Sequence, residues 1–211
     1  MAAVQLLIDD QIVDLPGDDI ESLLNAARQH LLPSGRVVVE VEVDGEKIDE
    51  QVMEADRSAV EAGSQLSLRS ADPAELAITV LEQVTEQLQA VETDQREVAE
   101  LFQQDDQAGA LERLSSVLQV WQQTQQAVTQ CLEIAGVDIE QLNVQDEPAT
   151  QVIDLLLEQM RSLRDSLSTS DTVAVADVLM YEWPHVIVKW DALVRELMQR
   201  IRTEGINPDD S

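Results

Sequence analysis

The chain has 211 residues and a formal net charge of −29, with 16 acids against 5 bases before Pro73 and 26 against 8 after it. Negative charge spread this evenly argues against gripping a nucleic-acid backbone, which takes clustered Lys and Arg, and reads first as solubility or adaptation to salt. A single cysteine, Cys131, excludes an intrachain disulfide, and no apolar run approaches the ~18 residues of a membrane span.

Residues 1–8 carry no basic flank and run straight into Asp9 and Asp10, which is not the pattern of a secretory signal. A reducing, bacterial-type cytoplasm is the expected compartment. Val4, Leu6 and Ile8 alternate with polar or outward positions, Asp9-Asp10-Gln11 turns, and residues 12–15 return, which predicts a hairpin. After Pro16-Gly17, Asp18 is placed to cap a helix with Glu21 three residues on, and Ile20, Leu23, Leu24, Ala27 and Leu31 make one apolar face.

Pro33-Ser34-Gly35 ends that helix. Val37, Val39, Val41 and Val43 then alternate with Val38, Glu40 and Glu42, predicting a strand with the first set buried and the carboxylates in solvent. Asp44-Gly45 signals a hairpin turn, after which Glu46, Lys47 and Ile48 pair back. The stretch 52–62 reads either as a short helix or as an irregular crossing, and Leu66 and Leu68 predict a closing strand. This order of hairpin, helix and strands over residues 3–71 resembles the β-grasp, or ubiquitin-like, arrangement. The resemblance implies a docking role, since a chain continuing past residue 72 has no free Gly-Gly tail for conjugation.

At Asp72-Pro73 the pattern changes from period two to helical period, so the expected domains are 1–72, a β-grasp-like α+β module, and 73–205, an antiparallel four-helix bundle, with an acidic tail over 206–211. The first long helix carries Leu76, Val80, Val84, Leu88, Val91, Val98 and Phe102, interrupted by Gln95. The second, over 107–135, carries Leu111, Leu114, Leu118, Trp121, Gln125, Val128, Leu132 and Ala135, and Gly136 stops it. Cys131 is expected in the core, and Gln125 is the one polar residue in that seam. The third, over 148–168, shows Ile153, Leu156, Met160, Leu163 and Leu167. The fourth carries Ala176, Leu179, Trp183, Val186, Trp190, Leu193, Leu197 and Ile201, so its two tryptophans, a heptad apart, should centre the core.

Pro184 stands inside the fourth helix, where it removes a hydrogen bond to the Met180 carbonyl and predicts a kink or a break. Tyr181, Glu182 and His185 surround that irregularity and are the first candidates for binding a partner. Gln122 and Gln126, on a glutamine-rich face of the second helix that lacks repelling charge, are the second, either for another protein or for self-association. Glu182 and His185 also match the Glu-x-x-His spacing of di-metal bundles, but the bundle has no second histidine, and no metal or cofactor is expected. No nucleophile with a histidine in a recognisable frame and no phosphate-binding glycine loop occurs, so the chain is read as non-enzymatic.

Residues 173–190, with Ala176-Asp177-x-Leu179, Tyr181-Glu182, Pro184 and Trp190, resemble the closing helix of a family of uncharacterised bacterial helical domains of unknown function. In size and helix count the bundle also resembles small flagellar export chaperones. The expected function is that of a protein interaction or adaptor module. The alternatives, in descending order, are a chaperone-like binder of a helical export partner, an acidic nucleic-acid mimic that occupies a basic protein, and a metal-dependent enzyme through Glu182 and His185.

Overall fold

The computed structural model describes residues 4–17, 19–48 and 64–204. The expected cap at Asp18, the ambiguous stretch 52–62 and the acidic tail from residue 206 lie outside them. The chain is α+β, a small mixed sheet followed by a helical region, and divides into two compact units, Met1–Leu76 and Ala77–Ser211. Among the described residues no helix is long and apolar enough to cross a membrane.

In the first unit the elements run β1 (Gln5–Ile8), β2 (Gln11–Ile12), α1 (Ile20–Leu31), β3 (Val37–Val43), β4 (Glu46–Lys47) and β5 (Gln65–Ala71). The sheet order is β2-β1-β5-β3-β4, with β5 parallel to β1 and antiparallel to β3. Both hairpins close through two residues at positive φ, Asp9 and Asp10 (50° and 64°) and Asp44 and Gly45 (51° and 86°). That backbone matches the twist of the flanking strands, and aspartate tolerates it better than most side chains.

Asp9 does more than turn. Its carboxylate accepts hydrogen bonds from the Ser70 amide at 2.8 Å and the Ser70 hydroxyl at 2.6 Å, and Arg36 lies 3.6 Å away. Arg36 in turn donates to the Ser70 hydroxyl and carbonyl at 2.7 and 2.6 Å. The first hairpin is thereby tied to the end of β5 and the start of β3. The Ser70 hydrogen bonds, ahead of the nearby arginines, hold the Asp9 carboxyl below its ordinary value of 3.8.

The cap of α1 is Asp19, one residue later than expected. Its carboxylate accepts from the Ser22 amide at 2.7 Å while the Ser22 hydroxyl answers the Asp19 amide, a reciprocal capping box. Leu23, Leu24, Ala27 and Leu31 then bury against Leu6, Ile8, Leu66 and Leu68 of the sheet. The simple alternation expected of β3 does not hold. Pairing passes from Val38 opposite Ser70 to Glu40 opposite Arg69, so Val39 is the extra residue of a bulge. The bulge switches which residues face α1: Val38 before it, then Val41 and Val43. Val37 and Val39, expected inside, are 44% and 47% exposed. Glu40 turns outward to Lys47 and Arg69.

The helical region contains α2 (Pro73–Gln103), α3 (Gln107–Ala135), a short hairpin of β6 (Asn143–Val144) and β7 (Glu147–Pro148), α4 (Ala149–Ser168), α5 (Thr172–Asp177) and α6 (Trp183–Glu204). The residues between α5 and α6, Val178–Glu182, form one turn of π-helix. Asp106 and Asp171 cap the starts of α3 and α5 through the Gly109 and Ala174 amides, and Gly136 at φ 61° ends α3. The link between α3 and α4 is itself structured: Leu142 and Val144 are buried, and Gln145 and Asp146 turn the hairpin at φ 53° and 67°.

Two of the predicted stripes are out of phase in places. On α2 the buried residues start at Ala77 and Leu81, leaving Leu76 exposed and Val80 partly so, and rejoin the expected set from Val84 to Phe102 with Gln95 among them. On α3 they are Ala110, Leu114, Val117, Trp121, Thr124, Val128, Cys131, Leu132 and Ala135. Leu111 is therefore exposed, Leu118 and Gln125 are half-buried, and the polar residue in the seam is Thr124. On the last helix every residue of the expected stripe, from Ala176 to Ile201, is buried. Trp121 lies against both tryptophans of that helix, with edge-to-face ring centroids 5.9 Å from Trp183 and 5.7 Å from Trp190.

Candidate functional site

The side of the last helix away from these rings carries the candidate site. From Thr172 to Glu204 the chain is helical throughout, so the alternatives of kink and break resolve into a widened turn. The Trp183 amide donates back to the Val178 carbonyl, five residues away, and Pro184 follows as the second residue of α6. A proline has no N–H to give, and a turn that steps back five residues absorbs the gap in the hydrogen-bond ladder. The widened turn also keeps both faces in order. Leu179 and Trp183 point into the core, while Tyr181, Glu182, His185 and Val188 point to solvent at helical spacing.

The sole tyrosine of the chain is 69% exposed, and Val173 and Val188 on the same outward side are 70% and 60% exposed. Large apolar side chains scattered singly on a surface are ordinary; these three recur at eight- and seven-residue spacing along one helix, over about 20 Å, with Asp177, Glu182 and His185 exposed between them.

Beside these residues lies a groove of about 380 Å³ lined by Glu147 of β7, Gln151, Val152 and Leu155 of α4, and His185 and Lys189 of α6. Lys189 donates to the Glu147 carboxylate at 2.6 Å; its side chain is only 18% exposed. This hydrogen bond, with the Lys189 charge and then that of His185, holds the Glu147 carboxyl below its ordinary value of 4.5. The hairpin β6–β7 is thus pinned onto α6 at one wall of the groove. The lining holds no serine, threonine or cysteine.

The structure gathers Tyr181, Glu182 and His185 on one helix and brings only His185 of the candidates into the groove. Gln122 and Gln126 are exposed one turn apart on α3 and do not line it. Glu147, Gln151, Val173 and Val188 complete the region without having been singled out from sequence. For Val188 the signal was present, since 181, 185 and 188 follow three-four spacing; Val173 lies two turns before Tyr181 and outside that run. Glu147 and Gln151 lie 34 or more residues from His185 in sequence, and no local pattern connects them. Among the described residues no group of three or more His, Cys, Asp or Glu side chains is placed to hold a metal ion.

Cys131, expected in the core, is buried, and desolvation pushes its thiol up to about 11. Residues 79–193, just over half of the chain, match a family described as a domain of unknown function, DUF8042. No curated protein and no solved structure matches the chain.

Proposed function

The chain belongs to the DUF8042 family, and we propose that it is a non-catalytic protein interaction or adaptor module that docks a protein partner along the outward face of its last helix. The observation that carries this reading is the exposure of Tyr181 between Val173 and Val188 on an otherwise strongly acidic chain. Tyrosine is a common anchor at protein interfaces because it offers a large rigid ring with a polar tip. The polar groups Glu147 and Lys189 of the groove lining are already paired with each other, which supports a binding role over a catalytic one.

In the same reading the first unit is a β-grasp module and the helices are an antiparallel four-helix bundle, in a cytoplasmic protein. Support for the first is the sheet order with β5 parallel to β1 and α1 packed on one face. Support for the second is the inward stripes of α2, α3, α4 and the last helix.

The test is affinity purification of the full chain from its native host, comparing wild type with Tyr181→Ala/Val188→Ser and with Gln122→Ala/Gln126→Ala. A partner recovered by wild type and by the glutamine variant, and lost with the Tyr181/Val188 variant, supports the proposal. Equal recovery by all three, or none by wild type, removes it.

A further inference from the structure

We infer that the occupant of this face is a basic amphipathic helix of the partner protein, lying along the last helix with its apolar side on Val173, Tyr181 and Val188. The inference rests on the docking function just proposed and names the chemistry of the partner.

Shape gives the first reason. The apolar residues stand in a line one helix wide rather than in a broad patch, and the groove beside them, about one helical turn long, lies between α4 and α6 with Leu155 on one wall and His185 on the other. An amphipathic helix laid along such a face, with an anchoring side chain set into the adjoining groove, is the ordinary way such surfaces are filled. Charge gives the second. Asp177 and Glu182 are exposed beside the apolar residues, Asp154 and Glu158 are exposed on α4, and Glu147 stands half in solvent at the groove mouth. The nearby cation Lys189 is already matched by Glu147, and the exposed Arg161 of α4 is outnumbered by Asp154, Glu158, Asp177 and Glu182, so the surface left to a partner is net anionic. The whole chain, at −29, steers in the same direction: it attracts a basic segment over distance and repels a second copy of itself. A partner helix of about five turns spans the line, with Lys or Arg on its flanks to meet the carboxylates.

The experiment uses the full chain, isotope-labelled, and two synthetic helical peptides of the same apolar pattern, one with lysine and one with glutamate at every polar position. Amide shifts are followed by NMR as each peptide is added. The expected result is that the lysine peptide moves residues of α5 and α6 around Tyr181, His185 and Val188 and those lining the groove. Tyr181→Ala/Val188→Ser, at positions exposed enough to leave folding intact, should weaken it about tenfold or more, and Glu182→Lys should weaken it too. The glutamate peptide should not bind.

Shifts scattered over the acidic surface and unaffected by the variants overturn the inference, as does tighter binding of the glutamate peptide. A dimer in light scattering that Tyr181→Ala dissolves also overturns it, because the occupant is then a second copy. If the peptides fail while the native-host purification still loses its partner with Tyr181→Ala/Val188→Ser, the docking function stands and only the basic helix falls. If both experiments fail, both fall.

Discussion

Trp121 meets Trp190 edge to face, with ring centroids 5.7 Å apart and planes at 81°, and both rings are buried. Because Trp121 also touches Trp183, one side chain of α3 locks two turns of the last helix. Trp121→Ala is expected to cost about 3–5 kcal/mol in urea unfolding, by lost burial and by the cavity left between the helices. Tyr181→Ala, on the outward face of the last helix, should stay within about 0.5 kcal/mol of wild type. Comparable losses from the two would mean that the outward face is also structural.

Among the described residues, Gln95 and Thr124 are sealed into the helical core without partners, as are the indole N–H groups of Trp121, Trp183 and Trp190. Neither amide atom of Gln95 nor the hydroxyl of Thr124 has a hydrogen bond, although both residues are buried. Leaving such groups unpaired costs about 1–3 kcal/mol. Thr124→Val and Gln95→Met are therefore expected to be neutral or to stabilise by about 1 kcal/mol, read as a rise in melting temperature. A clear loss of stability from both would show that the two groups have partners in solution.

That pair also marks a limit of reading the chain. The inward stripe of the last helix was legible because Trp183 and Trp190 fix its phase, and all its residues from Ala176 to Ile201 are buried. On α3 the sequence offers two nearly equivalent stripes one residue apart, since both Leu118 and Val117, and both Gln125 and Thr124, fit helical spacing. Packing across to the last helix chooses between them, and that is not a local property. Likewise β3 reads as four alternating valines, but a bulge at Val39, set by pairing with β5, reverses the faces midway. The hairpin β6–β7 was hidden because Gln145-Asp146 lacks the glycine that advertises such a turn, although Asp9-Asp10 uses the same backbone. Of the candidate site, the helix and its exposed Tyr181 could be found from sequence. The groove could not, because Glu147 and Gln151 reach it only through the fold.

Asp9 supplies a pH prediction. Its folded carboxyl titrates below the ordinary value of 3.8, so it stabilises the fold above that value and the contribution is lost as pH falls through the lowered one. Asp9→Asn keeps a side chain suited to positive φ and removes the charge. The gap in stability between wild type and Asp9→Asn should be constant near neutrality and close only below about pH 4. A gap that widens on acidification contradicts the Ser70 clamp.

Cys131 is buried, and its thiol is pushed up to about 11 by desolvation. In the native protein at pH 8 it should resist alkylation, and it should react fully once the chain is unfolded in guanidinium. Rapid native labelling would mean that α3 opens far more readily than its packing indicates.

The account depends above all on the outward side of the last helix being where another protein sits. A photo-reactive phenylalanine analogue placed at position 181 in the native host, with the same analogue at position 122 as the control, tests this most directly. The account predicts one strong cross-link to a single different protein from position 181 and none from 122. A cross-link from 122 alone, or from 181 only to a second copy of the chain, would contradict it.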